Sequence, residues 1–153
     1  MEWFIKAFIR ASLLWFALGV VLGLAMAAHP PWVVYRPAHA HMNVVGFITM
    51  MVFGVGYQLL PRLFGHSLYD KRLGIAHWWL ANAGLALMVV GFLMAPHVGS
   101  RSAPVTTSGG VFFVLGALAF VYNLWRTFDL ADARYRKRAA ATERSRILKT
   151  VDD

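Results

Sequence analysis

This chain of 153 residues contains no cysteine. That excludes disulfides, thiolate metal sites, covalently attached c-type heme and cysteine nucleophiles. Charge is scarce too, at 14% of residues, where an ordinary soluble domain carries about a quarter. Acids are scarcest, with seven Asp and Glu against fifteen Lys and Arg. A hydrophobic share of 59% and a mean hydropathy of +0.56 exclude an intrinsically disordered chain, which needs low hydrophobicity. The net charge of +8 would point to nucleic acid in a soluble protein. Here the apolar content overrides that reading, and no nucleic-acid partner is expected. With cysteine absent, histidine is the side chain left that commonly binds a soft or borderline metal.

What the chain does have is long apolar runs. A spanning helix needs about 20 predominantly apolar residues, and four stretches qualify: Ala7 to Ala28, Ala38 to Leu60, Ile75 to Met94, and Val105 or Gly109 to Trp125. Prolines bound three of them, at Pro30-Pro31, Pro61 and Pro96, because proline cannot continue a helix. The expected fold class is an all-α membrane protein of four transmembrane helices. Residues 1–128 form the membrane domain and 129–153 a basic cytoplasmic tail. Lys6 and Arg10 before an apolar run that ends in Ala25-Met26-Ala27 also match a cleavable secretory signal. The expectation is that this run is retained as the first span.

Flanking Lys and Arg stay on the cytoplasmic side of a membrane. With four spans, the N-terminus, the central loop and the C-terminus share one side. That side holds Lys6, Arg10, Arg62, Lys71, Arg72, Arg126, Arg134, Arg136, Lys137, Arg138, Arg144, Arg146 and Lys149. Arg36 and Arg101 fall on the other. Both termini are therefore expected in the cytoplasm, in the bacterial inner membrane. All seven acids lie on that side as well, so the charge reads mainly as a topology signal. The tail, with Arg134, Arg136, Lys137 and Arg138 near the last span, either lies on anionic lipid or is a solvated helix.

The same orientation sorts the six histidines by depth. His29, His39, His41 and His97 belong to the outer half, His66 and His77 to the inner half. His39 and His41 form an H-x-H at the outer entry of the second span. At about 100° per residue these rings project some 200° apart, from nearly opposite faces, and cannot chelate one metal while the helix is regular. The spacing suits two sites flanking one helix. It equally suits interfacial histidines bonded to loop carbonyls or headgroups, or a metal chelated where the helix end unwinds. His77 lies roughly 25 Å from the outer end of its span, so it reads as an interhelical hydrogen-bonding residue, with a proton or quinone role as the alternative.

The string Ala38-His39-Ala40-His41-Met42-Asn43-Val44-Val45-Gly46-Phe47, continuing to Phe53-Gly54, Tyr57 and Leu59-Leu60-Pro61-Arg62-Leu63, resembles the tenth helix of the heme-copper oxidase catalytic subunit, most closely the C-type branch. His77-Trp78-Trp79-Leu80 with Gly84 is similar to the eleventh helix. Gly109-Gly110, Gly116 and Asn123-Leu124-Trp125-Arg126-Thr127 are similar to the twelfth. The resemblance implies heme b as cofactor, with His39 matching the high-spin ligand and His41 the low-spin ligand, on opposite sides of the helix. Further ligands would come from His29, His97 or another subunit. Arg36, with Tyr35 and Trp32 nearby, and Arg101 are the candidates for heme propionates, or else simple interface anchors.

The chain differs from that family in length. A catalytic subunit has about twelve spans in three four-helix arcs, and this chain matches only the last arc. The helices that bring the copper-binding histidines have no counterpart, so neither a complete oxidase nor, without an outer-half carboxylate, a nitric oxide reductase is expected from this chain alone. A homotrimer would rebuild the three arcs, with a dimer as the alternative, and Gly46, Gly54, Gly56, Ala81 and Gly84 would permit close helix contact. The favoured reading is an oligomeric b-type heme protein in electron transfer or in binding a diatomic gas such as nitric oxide or oxygen. The alternatives are a heme-free scaffold or assembly subunit of a respiratory complex, and a quinone-binding redox subunit using His77 or Asn82.

Overall fold

Proline and glycine punctuate the chain into helical rods. The computed structural model describes the backbone of residues 2–152 and the side chains of residues 2–145. Helix α1 (Trp3–Ala28) ends where Pro30 and Pro31 open a 3-10 turn, Pro30–Tyr35. The second rod is continuous from there: α2 (Arg36–His41), a π-helical segment Met42–Thr49, and α3 (Met50–Leu63). Gly65, at φ 62°, takes the chain into the central loop. Helix α4 (Lys71–Val98) follows, capped by the Asp70 carboxylate, which accepts from the Arg72 amide at 2.6 Å. Gly99, at φ 59°, and the 3-10 turn Gly99–Ser102 then reverse the chain into α5 (Ala103–Asp152). The left-handed φ at both turns is one that glycine alone adopts freely.

The expected all-helical class holds, and three stretches are long and apolar enough to cross a membrane: Trp3–Ala28, Pro30–Leu63 and Lys71–Ser145. The last of these is the hairpin of α4 and α5 folded at Gly99. Two expected boundaries are corrected. Pro61 lies inside the last turn of α3, and Pro96 inside the last turn of α4. A proline so close to a C-terminus forfeits a single backbone bond. The Pro61 carbonyl is itself satisfied past the helix end, where it accepts from the His66 amide at 3.0 Å. The span expected to close at Trp125 instead runs on without a break, so residues 129–152 continue α5. Arg146 and Lys149, counted among the inner cations, lie outside the residues whose side chains are described.

Glycines set how closely the rods approach. A Cβ at Gly84 would stand 2.6 Å from the Phe113 amide nitrogen and 2.7 Å from the Gly109 carbonyl oxygen. Gly91 sits against Thr106 and Gly116 against Ala81, which joins α4 and α5 along their length. Gly46 receives Trp15, and Gly54 receives Phe8 and Ile9. Small residues expected to serve contacts between copies of the chain are thus used within it. The core between the rods is Phe4, Phe8, Met50, Phe53, Tyr57, Ala81, Leu85 and Val89. Among the described residues, α1 and α5 make no close backbone approach, while the second rod and α4 lie between them.

The antiparallel order sorts the two ends. At one, Lys71 pairs with Glu2 at 2.8 Å, and the Asn123 amide clamps Asp70, accepting from its N–H at 3.0 Å and donating to its carbonyl at 2.7 Å. At the other, the Tyr35 hydroxyl meets His97 Nε2 at 2.9 Å. Histidines His29, His39, His41 and His97 are thereby grouped toward the end opposite the N-terminus, as charge counting had sorted them.

Candidate heme-ligand site

Two residues of α2 carry the site, and their backbone is regular: His39 and His41 both precede the π segment. Regular geometry sends their rings apart. His39 faces α1, where Nδ1 lies 2.9 Å from the Gly19 carbonyl oxygen. Its ring fills a notch at Gly23, where a Cβ would stand 2.7 Å from Cε1. His41 faces α4, its ring centroid 4.5 Å from that of Phe92, with Nδ1 2.8 Å from the Pro37 carbonyl oxygen one turn back. A carbonyl oxygen can only accept, so each neutral imidazole carries its proton on Nδ1 and leaves the Nε2 lone pair free. Metal-ligating histidines are held in this way, one ring N–H fixed by a carbonyl and the other nitrogen turned to the ion.

Asn43 tightens the His39 side. Its amide donates to the His39 carbonyl at 2.9 Å and lies 3.3 Å from His39 Nδ1. It also packs on Gly19, where a Cβ would come within 2.6 Å of Nδ2. Gly19 and Gly23 were not singled out from sequence, yet their G-x-x-x-G spacing is a recognised signal for close helix approach. The π segment begins one residue after His41, and Thr49 Oγ1 donates to the Val44 carbonyl, five residues back, at 3.0 Å. Such segments recur at functional sites.

The other expected residues are placed less tightly. His97 is held by Tyr35, and the His29 ring lies edge-on to Trp32 at 5.6 Å. Among the described residues neither makes a hydrogen bond or ring contact with His39 or His41. Arg36 opens α2 and Arg101 lies in the 3-10 turn, both without an ion-pair partner among the described residues. No group of three or more His, Asp or Glu side chains that could hold a metal occurs among the described residues.

His77 is the interhelical residue expected. It is fully buried, its Nδ1 3.1 Å from the Tyr57 hydroxyl, amid the rings of Phe8, Phe53 and Phe120. Its Nε2 has no hydrogen-bond partner among the described residues. Sealed in aromatic packing, the ring offers no open contact to a quinone. The Asn82 amide bonds back onto the Trp78 carbonyl of its own helix at 2.8 Å.

The chain as a whole is similar to known proteins. The chain is 33% identical over 114 residues to cytochrome c oxidase subunit 1 of Rhodobacter capsulatus, covering 58% of this chain and 21% of that one. It is 27% identical over 132 residues to the cbb3-type cytochrome c oxidase subunit CcoN1 of Stutzerimonas stutzeri, covering 70% and 27%. A third relative, cytochrome c oxidase subunit 1 of Thermus thermophilus, is 29% identical over 123 residues, covering 66% and 21%. The chain therefore spans between a fifth and a little over a quarter of the length of these relatives. The family described as cytochrome c and quinol oxidase polypeptide I matches residues 4–128, from the first turn of α1 into the middle of α5. This chain is an integral membrane protein belonging to the cytochrome c and quinol oxidase polypeptide I family.

Proposed function

We propose that the chain is an oligomeric b-type heme protein of the bacterial inner membrane, built as one arc of an oxidase-like bundle, with heme iron taken by Nε2 of His39 and of His41. All four rods cross the bilayer, both termini are cytoplasmic, and the heme-ligand end faces the periplasm. Residues 1–128 are the membrane domain and 129–153 the tail. The observation that carries the reading is the pair of Nδ1-to-carbonyl bonds, which frees Nε2 on two opposite faces of α2. This donor set fits heme iron, for which neutral imidazole is a standard axial ligand.

The heme would supply reversible one-electron chemistry or a vacant iron position for a diatomic gas. The chain's own residues fix the ligand rings: Gly19 and Asn43 hold His39, while Pro37 and Phe92 hold His41. Arg36 and Arg101 stand at the same end as cations for propionates. Since His39 and His41 point away from each other and no third ligand is brought to either, further ligands come from His29, His97 or a second copy. A homotrimer, which would rebuild three arcs, is favoured over a dimer. Electron transfer follows where two histidines complete the iron, and gas binding where one position stays open.

The test is an oxidised and dithionite-reduced spectrum of the purified protein, with and without nitric oxide. A Soret band that is lost or altered in His39→Ala or His41→Ala supports the assignment. A colourless protein, even when expressed with excess heme, would sink it and leave the scaffold role. Pigment retained unchanged in both variants would move the ligands elsewhere.

A further inference from the structure

The end of the bundle that carries the N-terminus holds a cleft that the heme reading does not use. It lies between α1 and α4, about 430 Å³ in volume, lined by Trp3, Lys6, Ala7, Arg10, Leu14 and Trp78. Lys6 and Arg10 stand one helical turn apart, so their like charges face each other. No acidic residue lines the cleft. Neither cation has an ion-pair partner among the described residues, in contrast to Lys71, which holds Glu2. The first turn of α1 carries no acid either, so Lys6 adds positive charge near the positive end of the helix dipole. Trp78 closes the cleft, its ring 5.6 Å from that of Trp3. Its indole N–H is shielded from water and finds no acceptor.

A solvated cationic face would need none of these walls. Ala7 and Ala11 keep the cleft open, and beyond Arg10 the surface turns wholly apolar through Leu14, Leu18 and Val21, all exposed. One anionic group at the cationic mouth, with a hydrocarbon chain continuing along α1, satisfies both halves. Basic pockets between membrane helices bind anionic headgroups in this way. Two tryptophans at the boundary suit the same depth, where amphipathic rings settle.

We propose that this cleft is a binding site for one anionic phospholipid, its phosphate held between Lys6 and Arg10 beside the walls of Trp3 and Trp78, and an acyl chain laid along Ala7, Leu14 and Leu18. The lipid joins α1 to α4, the two rods that bracket the site, and neutralises the charge at the start of α1.

Native mass spectrometry of the detergent-purified full chain, titrated with phosphatidylglycerol or phosphatidylcholine of equal chain length, tests the proposal. The expected result is one tightly retained phosphatidylglycerol per chain and no comparable phosphatidylcholine. Each cation contributes about 1 kcal/mol to anionic-lipid binding, so Lys6→Gln and Arg10→Gln should each weaken the preference about fivefold. Trp78→Phe should weaken it less, and Lys71→Gln/Arg72→Gln, on the same end but outside the cleft, should leave it unchanged. Circular dichroism confirms that each variant is folded. Equal retention of both lipids, an unchanged preference in Lys6→Gln/Arg10→Gln, or displacement of the lipid by millimolar inorganic phosphate would overturn it. The last outcome would mark a site for a free anion.

Discussion

His39 Nδ1 and the Gly19 carbonyl oxygen, 2.9 Å apart, tie the candidate ligand helix to α1. This bond sets the tautomer of His39 and, with the notch at Gly23, the direction in which its ring points. The carbonyl is a backbone group of a regular helix, so the orientation does not rest on a mobile side chain.

Gly23→Ala should therefore displace His39 while leaving the fold in place. The new methyl would stand 2.7 Å from Cε1 of the ring, a separation that forces the ring to move. The expected outcome is altered or reduced heme absorbance at normal helical content. Gly110→Ala is the control, since nothing lies within 4 Å of a Cβ there. An unaltered spectrum in Gly23→Ala would mean that the Gly23 notch does not position His39.

The buried pair Tyr57 and His77 makes a separate prediction. Tyr57→Phe removes the partner of His77 Nδ1 while Nε2 is already without one, leaving a fully buried imidazole unsatisfied. A cost of about 1–3 kcal/mol is expected. Removing both polar partners together is far less costly than stranding one. The double variant Tyr57→Phe/His77→Phe should accordingly be more stable than the sum of the single changes. Detergent-denaturation midpoints read the coupling.

Much of this arrangement could be read from residue types. The H-x-H spacing gave two opposed rings because α2 stays regular through His41, and the positions of Arg and Lys separated the two ends because short loops force the rods to alternate. What escaped was set by tertiary contact. Nothing local marks Met42–Thr49 as π-helical, and the contact in which Gly46 takes in Trp15 joins residues far apart in the chain. Pro61 and Pro96 read as stops, yet a helix tolerates proline in a last turn whose bonds are nearly spent. The hydrophobic pattern also could not show that Gly54 and Gly84 are occupied inside the chain, because a small residue on an apolar face looks the same whichever helix it meets.

The α4–α5 hairpin should be intolerant of a single methyl. At Gly84 the added atom meets backbone, the Phe113 nitrogen and the Gly109 oxygen, at 2.6 and 2.7 Å. Backbone cannot yield as a side-chain tip does, so Gly84→Ala should destabilise by about 1–3 kcal/mol. Gly110→Ala, in the same hairpin with open space around it, should instead gain up to about 1 kcal/mol in helix propensity. Thermal unfolding in one detergent, followed by circular dichroism, compares the two. Equal midpoints would mean that close packing at Gly84 contributes nothing.

The absence of cysteine makes the proposed topology directly measurable, because any single introduced thiol is the only one to label. Ser67→Cys lies in the loop between α3 and α4, at the end that holds Glu2 and Lys71, and Ser100→Cys lies in the turn between α4 and α5, at the end that holds Arg36 and His97. Both serines are exposed. Among the described side chains, eleven cations lie toward the first end and two at the second, so flanking charge favours the first in the cytoplasm. In intact inner-membrane spheroplasts a membrane-impermeant maleimide should label Ser100→Cys at once and Ser67→Cys only after lysis. The reverse pattern would invert the molecule and put His39 and His41 on the cytoplasmic side. Labelling of both before lysis would show that α4 does not cross the membrane, and would reduce the number of spans below four.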